Sequence, residues 1–333
     1  MEMLTGKLDY KSKSLIISIV VLNLNLNLLA DDNNQKYVVH GWESCFFSNF
    51  IGVLNHLLWA DRNGKIPVVY WGENFLYYEP TAPSQNAWQY YFEPVSKLDY
   101  NFSEDKFDNL VGGVPQYWVK DGYQLTHNNQ SAYQQGLRDA CHDIIDKYIK
   151  VRNHIKTKVD SFYDMHMKSV ITIGIHLRGS DKYTEVGHID VYKIINQANE
   201  LANSLGDNVQ FFVATDEIRL LNLAKKHLNR PMINRESTKI ENLHTNLSIV
   251  QYMLADEKGN LNKLLLGEEV LIDTLLLSKC NTLICTPSLV SQGAAYFNNK
   301  IPCYVITENG RQNSWIIDIY LKCLKIVLEC TYV

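Results

Sequence analysis

The chain lacks the short signatures that usually announce phosphate, metal or nucleophile chemistry. No Gly-x-x-x-x-Gly-Lys-[Ser/Thr] occurs, which excludes a P-loop, and no Gly-x-Gly-x-x-Gly occurs, which removes the dinucleotide fingerprint. There is no Gly-x-Ser-x-Gly nucleophile elbow. Asp-x-Asp is also absent, so the short acidic pair that holds a divalent metal on a diphosphate is missing. The seven cysteines, Cys45, Cys141, Cys280, Cys285, Cys303, Cys323 and Cys330, include no Cys-x-x-Cys pair. An odd, scattered set in apolar contexts reads as free thiols in a reducing compartment, with no zinc site and no disulfide framework. Charge of one sign is scarce as well. A net charge of −4 gives no basis for wholesale binding to nucleic acid or an anionic membrane, so any cationic chemistry must be local. No internal repeat and no low-complexity linker is present.

The N-terminus points another way. Lys7, Lys11 and Lys13 precede the apolar segment Leu15 to Ala30, which is interrupted by Asn23, Asn25 and Asn27. A basic flank and a short apolar core resemble a signal peptide or a weak anchor. The segment falls short of the ~20 apolar residues of a spanning helix. A disordered leader or an extra strand is the alternative. Localisation therefore stays open between cytoplasmic and exported or membrane-associated, any membrane association running through residues 7–30.

A chain of 333 residues exceeds one small core, and 46% hydrophobic with 20% charged residues is the composition of a globular protein. Tyr37 to His40 reads as a strand, Asn49 to Ala60 as a helix closed by Asp61-Arg62-Asn63-Gly64, and Ile66 to Trp71 as the next strand. Residues 72–130 are rich in Tyr, Trp, Asn and Gly and read as long loops with short elements. A helix over 132–166, in one or two segments, links the halves. Beyond it, strands and helices alternate through strands at 170–177, 209–214, near 232, 282–285 and 301–306, with helices at 191–205, 218–228, 268–278 and 289–298. The helix Ser314 to Glu329 closes the chain. Such alternation predicts an α/β protein with parallel sheets flanked by helices. Two sheets facing a cleft is the expected architecture. The expected divisions are a leader over 1–35, an N-terminal domain over 36–167, a C-terminal domain over 168–310 and a closing helix over 311–333.

The chemistry gathers at strand ends. Val170 to Leu177 is a near-continuous apolar run of strand length, as in a parallel strand buried on both faces. Arg178, Ser180, Asp181, Lys182 and Glu185 follow within eight residues, where ligands sit in open α/β sheets. Arg offers a planar fork of donors to phosphate and Lys a mobile point charge. Thr215-Asp216-Glu217 ends the next strand. Thr286-Pro287-Ser288 joins a strand to a helix N-terminus, a ready anion seat. Asp273 lies in an otherwise apolar helix, where a carboxylate must be paired or face a polar cavity. Guanine, with adjacent N–H and NH2 donors, would satisfy it; a core salt bridge or a solvent-facing turn would too. With no Asp-x-Asp, a leaving diphosphate must be neutralised by side chains such as Arg178 and Lys182.

His176-Leu177-Arg178-Gly179-Ser180-Asp181-Lys182 with Thr184-Glu185 resembles the first motif of the α-1,6-fucosyltransferase and nodulation-fucosyltransferase superfamily. Ala214-Thr215-Asp216 resembles its second motif. Asp273 through Ser278, then Leu283 to Ser288, resembles its third, and the likeness covers roughly residues 36–306. The resemblance implies a GT-B-like fold, two Rossmann-like doubly wound domains across a cleft. It also implies metal-independent, inverting transfer of fucose from GDP-fucose to a glycan or glycoconjugate acceptor, with no nucleic-acid partner. On that resemblance Arg178 binds the diphosphate with Lys182 and Ser288 assisting, and His176 and Asp273 read guanine and ribose. Asp216 lines the cleft, and Glu185 is the base with Asp181 as substitute. Thr286 and Tyr192 complete the substrate-binding set. The sequence departs from the family at Gly179, a basic position in many members, and in a Lys182–Glu185 spacing one residue short. A transferase for another nucleotide sugar and an inactive nucleotide- or glycan-binding module are the other readings.

Overall fold

A computed structural model describes residues 36–101, 133–178, 190–239 and 262–307, together with the backbone of 310–313. The leader, residues 102–132, 179–189 and 240–261, and the expected closing helix lie outside the described residues. The N-terminal half begins with β1 (Lys36–His40), α1 (Phe46–Arg62) and β2 (Ile66–Tyr70), and β1 and β2 pair in parallel. A short α2 (Trp88–Tyr91) follows. The linking helix is two helices, α3 (Gln135–Tyr148) and α4 (Asn153–His166). Extended backbone at Ile149 and a bridge between Phe92 and Val151 break it.

The second half is one six-stranded sheet. Its elements run β3 (Ile171–His176), α5 (Val191–Leu205), β4 (Val209–Ala214), α6 (Ile218–His227) and β5 (Met232–Ile233). Then come α7 (Lys263–Ser278), β6 (Thr282–Cys285), α8 (Leu289–Phe297), β7 (Cys303–Thr307) and β8 (Gly310–Asn313). The spatial order is β5-β4-β3-β6-β7-β8, all neighbours parallel except β7 and β8. The antiparallel β8 is absent from the sequence reading, and it carries Arg311–Asn313 into the sheet where that reading starts the closing helix.

Period-two geometry explains why β3 is apolar throughout. Ile171, Ile173 and Ile175 pack with Ile194, Ala198 and Leu201 of α5 and Leu220 of α6 on one face. The opposite face of the sheet packs with Leu271, Leu276 and Leu277 of α7 in a core that continues into the N-terminal half. All six residues of β3 are buried. Gly174 leaves the space that Cys280 and Leu277 fill, since a Cβ there would lie 2.9 Å from the Cys280 Sγ.

Helix ends follow their local chemistry. α5 is capped by Asp190, whose side chain accepts from the Tyr192 amide, and stops at Gly206 with φ +99°. α1 stops at Gly64, φ +62°. α7 starts five residues earlier than its apolar pattern suggests, because Asn262 accepts from the Leu265 amide and caps it. The five described cysteines are all free thiols, four of them buried and Cys45 half-buried.

Buried polar groups lock the halves together. Arg138 on α3 is 1% exposed and donates to the carbonyls of Ile301 (2.6 Å), Asn298 (3.2 Å) and Ala295 (3.4 Å). It satisfies the orphan carbonyls that end α8 and places a cation at the negative end of that helix. The Glu268 carboxylate of α7 pairs with Lys158 and His154 of α4. Within α1, Asn49 is fully buried and clamps the loop before it. Its Oδ1 accepts from the Trp42 amide (2.8 Å), and its Nδ2 donates to the carbonyls of Trp42 (3.1 Å), Ser44 and Cys45 (both 3.3 Å). Asn49→Ala strands several of these groups, each costing ~1–3 kcal/mol when buried unsatisfied. A loss of ~2–3 kcal/mol is expected in urea denaturation, and unchanged stability would show the clamp to be dispensable.

Candidate active site

A cleft opens where the strand order reverses. From β3 the chain moves outward to β4 and β5, then returns to place β6 on the other side of β3. The C-terminal ends of β3 and β6 therefore flank a crevice at the carboxyl edge, the switch point of a doubly wound sheet. The C-terminal ends of β3 and β4, the segment 237–238, one face of α7 and the start of α8 line it on one side. Cys45 to Ser48 at the head of α1, with Tyr77, line it on the other.

His176 sits on the floor, 5% exposed, its Nδ1 3.1 Å from the Ser288 Oγ. In register it is the residue opposite Cys285, so this bond spans the switch point. Ser288 is the N-cap of α8 and its hydroxyl accepts from the Ser291 amide (3.2 Å). Its hydroxyl also lies 2.9 Å from the Ser291 Oγ, so the bond to His176 forms with either imidazole tautomer. Ser291 Oγ is in turn 2.6 Å from the Tyr133 hydroxyl and donates to the Thr286 and Ser288 carbonyls, both at 3.0 Å. Burial pushes the Tyr133 phenol well above its ordinary value, so it acts as a fixed neutral donor and acceptor.

Arg178 leaves the end of β3 and its Nη1 lies 3.4 Å from Asp216 Oδ2 at the end of β4. Adjacent parallel strands thus bring a cation and its orienting carboxylate to the same edge. Opposite, Arg235 donates from Nε to Asp273 Oδ1 and from Nη2 to the Glu269 carbonyl, both at 2.9 Å. The Thr238 amide donates to Glu269 Oε2 (2.9 Å), which straps the segment after β5 onto α7. Burial raises the Asp273 carboxyl above its usual range, opposed by Arg235 and by Lys239. Burial lowers the Lys239 ammonium, with Asp273, Arg235, Glu269 and Asp216 around it.

The structure brings together four of the sequence-derived site residues, His176, Arg178, Asp216 and Asp273, with Ser288 as a fifth. Thr286 is not on the cleft wall; it is 2% exposed behind the wall, where its carbonyl accepts from Ser291. Tyr192 is also elsewhere, 47% exposed on α5 with its ring against His227. Asp181, Lys182 and Glu185 lie outside the described residues. Asp273 does form the salt bridge that was one of its readings, while also facing the cleft. Sequence reasoning missed Arg235, Thr238, Glu269, Tyr77 and Tyr133. Arg235 stood in a polar stretch without periodicity, and its only signal was the unpaired Asp273 itself. Among the described residues no group of three or more His, Cys, Asp or Glu could hold a metal ion.

No family model matches the chain. Its sequence is 22% identical over 337 residues to nodulation protein Z of Bradyrhizobium diazoefficiens, covering 85% of each chain. Its fold superposes on the crystal structure of NodZ alpha-1,6-fucosyltransferase co-crystallized with GDP with a TM-score of 0.52. The identity is 16%, over 84% of this chain and 98% of that one. Fucosyltransferase NodZ from Bradyrhizobium gives a TM-score of 0.51 at 17% identity, covering 84% and 97%. A variant of Arabidopsis thaliana FUT1 in complex with GDP gives 0.50 at 10%, covering 84% and 74%. Fold and switch-point cleft together are those of the GT-B class. Within that class the chain is similar in sequence and fold to fucosyltransferases.

The Arg235–Asp273 pair is separable from the rest of the wall. Arg235→Met leaves a poorly solvated carboxylate, and a loss of ~2–3 kcal/mol is expected in urea denaturation. Arg235→Met with Asp273→Leu should recover most of it. Equal losses in the single and double variants would mean that the pair is not coupled.

Proposed function

We propose that the protein is an inverting, metal-independent glycosyltransferase that transfers fucose from GDP-fucose to a hydroxyl of a glycan or glycoconjugate. The observation that carries this reading is the cleft itself. A paired, pre-oriented arginine and a helix N-terminus meet at a sheet switch point, at the position where the sequence resembles the fucosyltransferase motifs. The likeness to nodulation protein Z over 85% of the chain supports it.

In this reading the donor's diphosphate lies between Arg178 and the first turn of α8, whose Leu289 and Val290 line the cleft. Asp216 holds the guanidinium in place before the substrate arrives, so little reorganisation accompanies charge development on the leaving group. Lys182, four residues beyond Arg178 in the sequence, adds a second cation. The acceptor oxygen attacks the anomeric carbon as the bond from that carbon to the β-phosphate oxygen breaks. The electron pair leaves with GDP, and the acceptor proton passes to Glu185 or Asp181. Attack opposite the leaving group inverts the anomeric centre. His176 faces the same cleft, beside the nucleotide. Asp273 has one oxygen held by Arg235, so guanine recognition by that carboxylate engages the other oxygen alone. That single observation keeps a different nucleotide sugar as the second reading.

Differential scanning with GDP, UDP and CMP, each with and without EDTA, decides between them. Selective stabilisation by GDP that persists in EDTA is expected. Selective stabilisation by UDP, or loss of the shift in EDTA, would overturn the donor or the metal-independent part respectively. Arg178→Ala should lower kcat/KM for GDP-fucose by roughly 10²–10³-fold, the loss expected for one transition-state anion donor. Activity near that of the unaltered protein would remove Arg178 from the diphosphate site.

A further inference from the structure

The lining of the donor cleft divides by chemistry. Arg178 and the first turn of α8 suit a diphosphate. On α7, by contrast, Leu266, Val270 and Asp273 all line the cleft, and their spacing puts them on one helical face. Two aliphatic side chains leading to one carboxylate suit a flat heterocycle, laid on the apolar surface with its hydrogen-bonding edge at Asp273. What that edge meets is decided by Arg235, a residue of the strap that follows β5. Arg235 does not line the cleft itself, so it stands behind the carboxylate.

Its Nε–H donates to Asp273 Oδ1 at 2.9 Å. The same guanidinium donates from Nη2 to the Glu269 carbonyl at 2.9 Å and from Nη1 to the Glu236 carbonyl at 3.1 Å. Three acceptors from three residues fix its position. A ligand that took Oδ1 would strand the Nε–H of a side chain that is 17% exposed, so the bond resists exchange. Glu269, one turn before Asp273, likewise has Oε2 held by the Thr238 amide at 2.9 Å. Burial raises the Asp273 carboxyl, and Arg235 and Lys239 oppose that, which favours the ionised acceptor. The edge of a base therefore meets a charged acceptor with one oxygen to give. Guanine aims its N1–H and one 2-amino N–H in parallel, a pair that fits two carboxylate oxygens side by side and not one. Hypoxanthine carries the same N1–H and lacks the amino group. Adenine and cytosine carry a lone pair at the corresponding ring nitrogen, which a carboxylate repels.

We propose that Arg235 sets the base specificity of the donor cleft: by keeping one oxygen of Asp273, it leaves a single acceptor that reads a ring N–H and leaves the 2-amino group of guanine unread. Arg235 is thus a positioning residue that acts through Asp273 without touching the nucleotide. The proposal rests on the nucleotide-sugar reading above and extends its substrate class, because guanine and hypoxanthine donors become near equivalents. IDP-fucose would serve as donor with a kcat/KM within about threefold of that for GDP-fucose, since a difference of one unread group contributes little.

The test is isothermal titration of the full chain with GDP, IDP, ADP, UDP and CDP at pH 8, in the unaltered protein and in Arg235→Met and Arg235→Lys. In the unaltered protein the Kd values for GDP and IDP should agree within about threefold, with ADP much weaker. Arg235→Met frees Oδ1 for the 2-amino group, so the IDP-to-GDP ratio of Kd values should rise at least tenfold, the worth of one hydrogen bond to a charged acceptor. Arg235→Lys keeps a cation on Oδ1 and should keep the ratio near that of the unaltered protein. A purely structural role for Arg235 would weaken both nucleotides alike and leave the ratio unmoved in Arg235→Met, which would overturn the proposal. So would GDP binding tenfold tighter than IDP in the unaltered protein, or ADP binding as tightly as either; these comparisons need no variant to fold. In those cases the GDP-fucose reading survives without the inference about Arg235. If UDP binds while GDP, IDP and CDP do not, the GDP-fucose reading fails and the single-acceptor reading of a ring N–H stands. Binding by none of the five would overturn both.

Discussion

The buried hydrogen bond between His176 and Ser288 is the contact on which the site depends. It ties the end of β3 to the start of α8 across the point where the sheet reverses direction. Ser288 can make that bond only because it also caps α8, and the cap is held by Ser291, whose hydroxyl is fixed by Tyr133 from the N-terminal half. One chain of small hydroxyls therefore runs from α3's approach through the helix cap to the cleft floor. Each member is buried, so each must be satisfied, and the cost of breaking any one enforces the arrangement of all.

Around this contact, charge is arranged in pairs. Arg178 with Asp216 places an oriented guanidinium on the cleft wall, and Arg235 pairs with Asp273, the carboxylate that the wall presents. Pairing limits the desolvation penalty of a cation at a partly buried wall and fixes its direction before a ligand arrives. Farther out, Arg138 and the Glu268 cluster hold α3 and α4 against α8 and α7. The same helices that cover one face of the large sheet thus carry the N-terminal wall of the cleft.

The second half was legible because its strands are buried on both faces. A strand such as Ile171–His176 must then be apolar throughout and end abruptly at polar residues, which is visible without any structure. Helices with a strong apolar stripe were equally clear, and the free, buried thiols followed from spacing and context. Readings failed where a tertiary partner decided the outcome. Thr286 was expected at the anion seat on its proximity to Ser288, but it is buried, its carbonyl accepting from Ser291. Tyr192 lies in the first turn of α5 and faces His227. The helical stretch 132–166, read as one or two segments, is two, because extended backbone at Ile149 lets Val151 bridge to Phe92.

The sequence alone determined which residue types end each strand of the second half, and therefore that His176, Arg178 and Asp216 share an edge. Period-two alternation and parallel pairing leave little freedom there. Tertiary structure decided the rest. It supplied Arg235 as the partner of Asp273 and Tyr133 as the anchor of Ser288, across separations of 38 and 155 residues. It also assembled His40, Tyr70 and Tyr100 into one aromatic cluster. Those residues carry no spacing signal, because loops and paired strands bring them together and no local repeat does.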